Sequence, residues 1–219
     1  MPPRRTAIQI RKPGRPPADG VNQRERLLDA ALSSFADRGI AATSLRALAR
    51  DNGLTPAMLN YYFGSKDRLV DAVVAERLMP VLADVKARLA EVGDQDSVTM
   101  VTTFVKGMYA AIEQHPWLPS LWVREVLSEG GRLRDVFVRR IAPELPRPFT
   151  ERLAEGQARG EVNRSLEPRF LFVSLIGLTM FPFAAAPIWR KVFAADDIGT
   201  GKMLEHTLAL LTEGIGSQA

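Results

Sequence analysis

Cysteine is absent from the 219-residue sequence, and histidine occurs only twice. The lack of cysteine excludes disulfide bonds, thiolate nucleophiles and cysteine metal sites, and a reducing cytoplasm fits this composition best. His115 and His206 are far apart in the sequence, and no glycine-rich phosphate loop or clustered metal-ligand spacing accompanies them. Neither a catalytic triad nor a cofactor site can be assembled from such residues. We therefore expect no enzymatic activity, no cofactor and no metal.

Charge is also missing from one long stretch, residues 170–189. Its length reaches the threshold of roughly 18–20 residues for a membrane span, but Pro182 and Pro187 would break or kink a single continuous helix. We therefore expect a helix buried in a core or a subunit interface, and no membrane association. The N-terminus lacks an apolar run after its basic residues, so no signal peptide is predicted.

The positive charge is concentrated at the N-terminus, although the whole chain carries a formal net charge of only +4. Only Asp19 and Glu25 offset the basic residues that precede Leu27, which are Arg4, Arg5, Arg11, Lys12, Arg15, Arg24 and Arg26. Such a surplus favours a polyanion as partner, and the alternative is a solvated basic tail. Residues 1–20 are rich in proline, arginine and glycine and are predicted to form a flexible arm.

Three basic residues of this arm, Arg11, Lys12 and Arg15, are candidates for contacts with DNA. Arg15 stands between Gly14 and Pro16, an arrangement that favours a short hook in the minor groove of A·T-rich DNA. Simple attraction to phosphate is the alternative explanation.

The remaining sequence predicts an all-α protein. With 46% hydrophobic residues it can bury a sizeable core, and it has no sustained alternation of period two and no solenoid repeat. A first helix is expected from Asn22, with Gly39 ending it. A long element bent at Pro80 should follow the fourth helix start at Ser65. Further helices are predicted at roughly 97–114, 118–129, 132–159 with proline interruptions, 168–185 and 202–213.

Residues 45–63 have the anatomy of a helix-turn-helix. Thr43 or Ser44 can cap a short helix, and Gly53 supplies the turn. Thr55 can then cap a second helix with Pro56 at its first position. Small and apolar residues at the crossing point, Ala49 among them, would close a miniature core.

The outward side chains of that second helix suit a major groove: Pro56, Ala57, Met58, Asn60 and Tyr61. Asn60 can make bidentate hydrogen bonds to adenine, Ala57 and Met58 can contact a thymine methyl group, and the Tyr61 hydroxyl can reach phosphate. The alternative is a purely structural helical hairpin.

The sequence resembles the TetR (tetracycline-repressor-like) family of bacterial transcriptional regulators. The resemblance rests on residues 27–32 (LLDAAL), 35–39 (FADRG), 43–49 (TSLRALA), 53–55 (GLT) and 61–69 (YYFGSKDRL). It implies a three-helix headpiece with a helix-turn-helix, residues 21–66, and a larger helical ligand-binding and dimerisation domain, residues 67–219. It also implies that Thr43, Ser44 and Arg46 clamp phosphate or reach the groove edge. Thr55 to Tyr61 would form the recognition helix, and Lys66 would hold backbone phosphate with nearby helix amides.

The resemblance implies a small-molecule pocket in the second domain and a homodimer formed through the last two large helices, 168–185 and 202–213. An apolar or aromatic effector is expected, because large apolar side chains dominate the candidate lining. These candidates, with one polar anchor, are Phe104, Met108, Tyr109, Trp117, Trp122, Arg124, Phe137 and Phe181. For each aromatic residue, core packing is the alternative role.

We therefore expect a sequence-specific regulator that binds double-stranded operator DNA and is released by a small-molecule effector. A nonspecific architectural DNA-binding protein and an all-α enzyme are the two alternatives. An architectural protein would bind all duplexes with similar affinity, whereas a regulator would prefer its operator by roughly 10³–10⁷.

Overall fold

The computed structural model describes residues 19–93 and 96–215. No β-strand lies within these ranges, which agrees with the predicted all-α class. The α-helices are α1 (Asp19–Arg38), α2 (Leu45–Asp51), α3 (Pro56–Phe63), α4 (Lys66–Val73), α5 (Met79–Val92), α6 (Ser97–Gln114), α7 (Leu118–Leu121), α8 (Arg134–Val136), α9 (Pro146–Arg159), α10 (Pro168–Ala184), α11 (Ala186–Phe193) and α12 (Thr200–Ile215). Three π-helical turns join some of them: π1 (Val74–Leu78), π2 (Trp122–Leu127) and π3 (Phe137–Ile141).

The short N-terminal helices begin where the sequence predicts. Ser44, Thr55 and Ser65 are the N-caps of α2, α3 and α4, and each side chain accepts a hydrogen bond from a backbone N–H in the first turn. Gly53 and Gly64 end α2 and α3 with positive φ angles of 68° and 73°, which glycine adopts without steric cost. Local chemistry therefore fixes these helix ends.

Helices α1 to α4 enclose one apolar cluster, which we call the headpiece core. Leu28, Phe35 and Leu59 are among its fully buried members. The cluster also takes in Leu121 and Leu133 from much later in the sequence. The headpiece core therefore includes side chains from the part of the chain that follows residue 66, so the N-terminal helices are packed against that part.

The second half of the molecule is built around α6, which packs against α5, α9, α10 and α12. Phe104 of α6 forms an aromatic cluster with Phe149 and Phe172, whose ring centroids lie 5.1 and 5.5 Å from its own. The Tyr109 hydroxyl lies 2.8 Å from that of Thr207 and donates to the Met203 carbonyl, which fixes α6 against α12. We call this second half the body.

The long element predicted after Ser65 is present, and it contains a π-helical turn just before Pro80. Helices α4 and α5 are joined through π1, where the Met79 N–H donates to the Val74 carbonyl five residues earlier. Pro80 follows directly in the first turn of α5, where its missing N–H costs little. The proline therefore follows a widened turn instead of interrupting a regular helix.

The later helices differ from the prediction in three places. Helix 118–129 is a short α7 followed by π2. In the 132–159 region, the three-residue α8 and π3 precede the longer helix that begins at Pro146. Helix α11 was not predicted. Pro182 is accommodated inside α10, whereas Pro187 lies in the first turn of α11, so only the second proline marks a new helix.

Within the described residues, no single helix is long and apolar enough to cross a membrane. Together, α10 and α11 have the length and apolar composition of a membrane span, but the two helices are bent by 71° relative to each other. Leu171, Leu175 and Thr179 of α10 are buried inside the body. The uncharged stretch therefore contributes to the core, in agreement with the sequence analysis.

Candidate nucleic-acid interface and apolar cavity

Helix α3 exposes one face and buries the other. Leu59 and Phe63 anchor it in the headpiece core, with 0% and 5% of their surface exposed. Pro56, Ala57 and Asn60 are exposed, and Tyr61 is 80% exposed, although it is a large aromatic residue. The described part of the chain leaves this outer face uncovered. A helix held from behind in this way can enter a major groove.

The turn before α3 sets the angle between the two short helices. The Leu54 N–H donates to the Ala49 carbonyl at 2.8 Å, and the Asn52 side-chain amide donates to the Leu48 carbonyl, also at 2.8 Å. Ala49 is fully buried at this point. These bonds hold α2 and α3 as one unit, and they confirm the predicted helix-turn-helix geometry.

Two contacts that were not predicted from the sequence connect α3 to the start of α1. The Tyr62 hydroxyl donates to the Gln23 side-chain oxygen at 3.3 Å, and the Arg24 guanidinium lies 5.3 Å from the centre of the Phe63 ring. The N-terminal end of α1 is thus held beside α3. Arg11, Lys12 and Arg15, predicted to contact DNA, lie outside the described residues.

The predicted phosphate-contacting residues divide into two groups. Ser44 and Arg46 are exposed at the start of α2, and Lys66 is half-buried and donates to the Ala41 carbonyl at 3.0 Å. Thr43 faces inward and is only 4% exposed. Its hydroxyl donates to the Gly39 carbonyl at 2.8 Å, so this structure does not present it to phosphate, contrary to our expectation.

A network of ion pairs joins α1 to π1. Arg24 donates two hydrogen bonds of 2.6 Å to Glu76, while Arg77 pairs with Glu25 at 2.6 Å and with Asp29 at 2.7 Å. The hydrogen bond from Arg24 holds the pKa of Glu76 below its usual value. Paired and partly shielded from solvent, these groups fix the helix that leads away from the headpiece.

Inside the body lies a cavity of about 100 Å³ whose walls carry no charged side chain. We call it the inner cavity. Its walls come from α5, α6, α10 and the segment 118–146, and all three π-helical turns contribute to them. The lining residues are Leu78, Val81, Leu82, Val85, Phe104, Met108, Leu118, Leu121, Trp122, Val126, Leu133, Val136, Phe137, Ile141, Leu145, Pro146, Phe172, Ile176 and Met180.

Of the predicted ligand residues, Phe104, Met108, Trp122 and Phe137 line the inner cavity. Phe181 is 68% exposed and lines an adjoining groove, the outer groove, instead.

Tyr109, Trp117 and Arg124 are not brought to either site. Tyr109 faces α12, the Trp117 ring lies 5.4 Å from the His115 ring in a tilted arrangement, and the Arg124 guanidinium donates to the Ala36 carbonyl at 3.1 Å. Each of these side chains packs in the interior or contacts the headpiece instead of a cavity. Residue type alone does not reveal such a role.

The outer groove shares Trp122, Phe137 and Met180 with the inner cavity and opens along α10. It has a volume of about 660 Å³. Its rim includes the polar residues Arg147, Thr150 and Arg169, of which Arg169 is paired with Glu167 at 2.6 Å.

Comparison with known protein families shows which family has this arrangement. The family model "Bacterial regulatory proteins, tetR family" matches residues 27–73, and the model "Tetracyclin repressor-like, C-terminal domain" matches residues 98–215. The second match alone covers more than half of the chain. The chain belongs to the TetR family. It is a DNA-binding transcriptional regulator and not an enzyme, as the sequence analysis predicted.

Individual relatives agree with this assignment. The HTH-type transcriptional regulator BetI of Rhizobium meliloti (strain 1021) is 29% identical over 147 residues, which span 62% of this chain and 72% of that protein. The ketosteroid transcriptional regulator KstR2 of Mycobacterium tuberculosis has a TM-score of 0.70 at 19% identity, over 90% of this chain and 96% of that one. A putative transcriptional regulator from Saccharomonospora viridis, in complex with choline, has a TM-score of 0.60 at 17% identity, over 90% and 100%. These structures share the fold.

This TetR-family protein also exposes apolar side chains along its last helices. Phe170, Val173 and Phe181 of α10 are 58–68% exposed, and Leu210 of α12 is 55% exposed. Ile188, Val192 and Phe193 of α11 extend the surface, with exposures of 67–73%. Several large apolar side chains exposed on the last three helices favour an interaction site there. TetR-family regulators typically form dimers, respond to small-molecule effectors and bind operator DNA.

Proposed function

We propose that this protein is a homodimeric repressor. It binds a palindromic operator through α3, and an apolar effector releases it from the DNA. The observation that carries the proposal is the uncovered outer face of α3, with Ala57, Asn60 and Tyr61 exposed above the buried Leu59 and Phe63. A rigid helix with a small, mixed outer surface is suited to base edges. Because it acts on chromosomal DNA, we place its activity in the bacterial cytoplasm.

At the operator, each residue of the exposed face would have a distinct role. Asn60 would make two hydrogen bonds to an adenine, and Ala57 and Met58 would contact thymine methyl groups. Ser44, Arg46, Tyr61 and Lys66 would bind phosphate and fix the register of the headpiece on the duplex. Thr55 and Pro56 would start the recognition helix, and Thr43 would position the loop that precedes α2.

The domain division of the sequence analysis, 1–20, 21–66 and 67–219, remains a prediction, and the arm has its own test. Deleting residues 1–17 removes Arg11, Lys12 and Arg15, so it should weaken DNA binding and flatten its dependence on salt concentration. The affinity of full-length and shortened protein, titrated at several salt concentrations, measures both effects. Unchanged affinity at low and high salt would show that the arm does not contact DNA.

The exposed apolar surface supports dimerisation through α10 and α12, which would place two headpieces on one operator. The two recognition helices must then reach successive major grooves about 34–36 Å apart, or a wider variant of that spacing. Val173→Glu in α10 should shift the protein to monomers in analytical ultracentrifugation. Val138→Glu, an equally drastic change at an exposed site in π3, should leave the dimer intact. Dimers that survive Val173→Glu would contradict this interface.

The uncharged wall of the inner cavity supports a neutral apolar or aromatic effector. The names of the neighbours mention two ligand chemistries, ketosteroid for KstR2 and choline for the Saccharomonospora viridis protein. A cationic ligand would lose its hydration in this cavity without an acidic side chain to compensate, which is unfavourable. We therefore propose a neutral hydrophobic molecule, extending toward the outer groove if it is larger than the inner cavity.

The route from effector to DNA is supported by residues shared between the inner cavity and the headpiece core. Leu121 and Leu133 belong to both, and the partly buried Leu78, Val126 and Val136 also pack against the headpiece core. An effector that binds better when these residues are displaced would shift the population toward a headpiece spacing that misses the operator. A coupling of about 1–3 kcal/mol would lower DNA affinity about 5–150-fold.

The decisive experiment is selection of bound fragments from random or genomic DNA by the full-length protein, repeated with a library of metabolites. We expect a palindromic motif whose enrichment disappears with one apolar compound. Equal recovery of all sequences would instead identify a nonspecific architectural protein. A motif that no compound affects would refute the effector response while leaving operator recognition intact, and a motif enriched only with a compound would refute release.

A further inference from the structure

The carboxylate of Glu125 lies in the joint between the body and the headpiece. Glu125 belongs to π2 and is only 4% exposed. Its Oε1 accepts a hydrogen bond of 2.7 Å from the N–H of Ile40, and its Oε2 accepts one of 3.0 Å from the N–H of Arg132. Ile40 follows α1 and is 85 residues earlier in the sequence. One buried side chain thus bonds to the backbone on both sides of the joint.

The same turn of π2 forms part of the inner cavity. Trp122 and Val126, three residues before and one residue after Glu125, line the cavity. Leu121 and Leu133, at the two ends of the surrounding segment, line it as well and are buried in the headpiece core. A ligand that shifts π2 through contact with Trp122 or Val126 would therefore also move the backbone that carries the carboxylate.

The packing around Glu125 leaves little room to absorb such a movement. A Cβ atom on Gly131 would lie 2.4 Å from the Glu125 carbonyl oxygen, and one on Gly39 would lie 3.1 Å from Oε1. The Leu133 N–H also donates to the Glu125 carbonyl at 3.0 Å. Two glycines thus allow backbone to approach the glutamate closely on both sides, and a shift of π2 is transmitted instead of being absorbed in empty space.

Among the described residues, two other polar contacts join the segment 121–134 to the headpiece, and both are more accessible to water. Arg132 pairs with Asp67 at 2.7 Å, but the two side chains are 53% and 77% exposed. Arg124, an exposed residue, donates to the Ala36 carbonyl. Exposed ion pairs contribute little because solvent and salt screen them, whereas the loss of the Glu125 carboxylate would leave the buried N–H of Ile40 and the part-buried N–H of Arg132 without an acceptor.

We propose that Glu125 is a positioning residue that couples occupancy of the inner cavity to the orientation of the headpiece. This inference rests on the proposed function. With the cavity empty, the carboxylate holds the loop after α1 in the position that suits operator binding. With a ligand against Trp122 and Val126, π2 shifts, the bond to Ile40 lengthens, and the headpiece is released from that position.

The test compares Glu125→Gln with the matched control Glu129→Gln, which makes the same change at an exposed site just after π2. Glutamine keeps the size of glutamate, but its NH₂ group cannot accept a hydrogen bond, so one of the two N–H groups loses its partner. The probe is N-phenyl-1-naphthylamine, a neutral aromatic dye that is larger than the inner cavity and would extend from it into the adjoining outer groove. The duplex is the motif recovered by selection, and the measured quantity is the ratio of DNA dissociation constants with and without saturating dye.

We expect a ratio of about 5–150 for the unmodified protein and for Glu129→Gln. For Glu125→Gln the ratio should fall toward one, while the affinity for the dye alone is retained. If Glu125 only stabilised the fold, the variant would not lose the response of DNA binding to the dye while keeping its affinity for the dye. A ratio that stays unchanged in Glu125→Gln, with selection and dye binding as proposed, overturns the role of Glu125 alone. A ratio of one in the unmodified protein overturns the effector response and this inference together.

Amide hydrogen exchange on the unmodified protein supplies a second test that does not depend on the folding of a variant. Saturating dye should speed exchange at the amides of Ile40 and Arg132, because their acceptor is displaced. Leu28 N–H, inside α1, serves as the internal reference and should not change. Equal protection of Ile40 and Arg132 with and without dye would overturn the inference.

Discussion

The headpiece and the segment 118–146 of the inner cavity's wall are built in contrasting ways. In the headpiece, the three short helices α2, α3 and α4 each begin with a Ser or Thr side chain that caps the first turn. Around the cavity, α7, α8 and α9 begin without a side-chain cap, and the helices are joined by π2 and π3.

The contrast indicates that the two regions have different functions. A helix that reads bases must be held in one position, and the capped helices over a buried core achieve this. A wall that responds to a ligand needs an alternative arrangement at low cost, and π-helical turns are frequent at functional sites of this kind.

Leu59→Ala should destabilise the protein by about 2–5 kcal/mol, because Leu59 is fully buried and leaves a cavity. Leu175→Ala, at an equally buried site of α10, should cost a similar amount, measured by urea denaturation. Only Leu59→Ala should also lose DNA binding under conditions where both variants remain folded, because Leu59 anchors α3. Equal DNA affinity of the two variants would contradict the claim that Leu59 holds α3 in a fixed position for base recognition.

Asn60→Ala should reduce the preference for one base by about 1–3 kcal/mol, since the exposed amide has its effect only at that base edge. Lys66→Ala should weaken binding to all sequences alike, because phosphate contacts carry no sequence information. Competition binding with single-base variants of the selected motif separates the two. A uniform loss for Asn60→Ala would remove that residue from base recognition.

Ile176→Phe should fill part of the inner cavity, which Ile176 lines from α10. We expect binding of N-phenyl-1-naphthylamine to weaken about tenfold, equivalent to ~1.4 kcal/mol. Val138→Phe enlarges an exposed residue beside the cavity wall and should leave dye binding unchanged. If both variants bind the dye like the unmodified protein, the dye occupies another site.

The smallest effect concerns the start of α6. Glu161 accepts hydrogen bonds from Arg159 and from Ser97, and these bonds lower its pKa to about 2. A carboxylate whose pKa is lowered in the folded state stabilises the protein at any pH above the pKa that it has in the unfolded chain. This contribution is lost as the pH falls toward 2. Glu161→Gln should therefore lower the Tm slightly at pH 7 and converge with the unmodified protein near pH 2. An equal difference at both pH values would contradict a charge effect.

Prediction from sequence succeeded where the signals are local. Thr55 with Pro56, and Ser65 with Asp67, mark helix starts through chemistry within one turn, and α6 has the predicted bounds. It was less successful at the cavity, where Leu121, Val126 and Leu133 were missed. These residues lie on short, irregular segments with no sustained period, and only their tertiary neighbours give them a shared role.

The aromatic residues illustrate the same limit. Phe104 and Tyr109 lie on the same helix and had equal standing as ligand residues, yet Phe104 lines the cavity and Tyr109 bonds to α12. Thr43 had the residue type of a phosphate ligand, but the loop after α1 turns its hydroxyl inward. A side chain's direction depends on how its helix is rotated against its neighbours, which residue type does not encode.

The amino-acid sequence by itself determined the all-α class, the capped helix-turn-helix and the family, because these depend on interactions between residues close together in the chain. Only the tertiary structure decided which side chains surround the cavity and that Glu125 reaches Ile40 across 85 residues. Contacts of that range arise when helices pack, and many different sequences can satisfy the same packing.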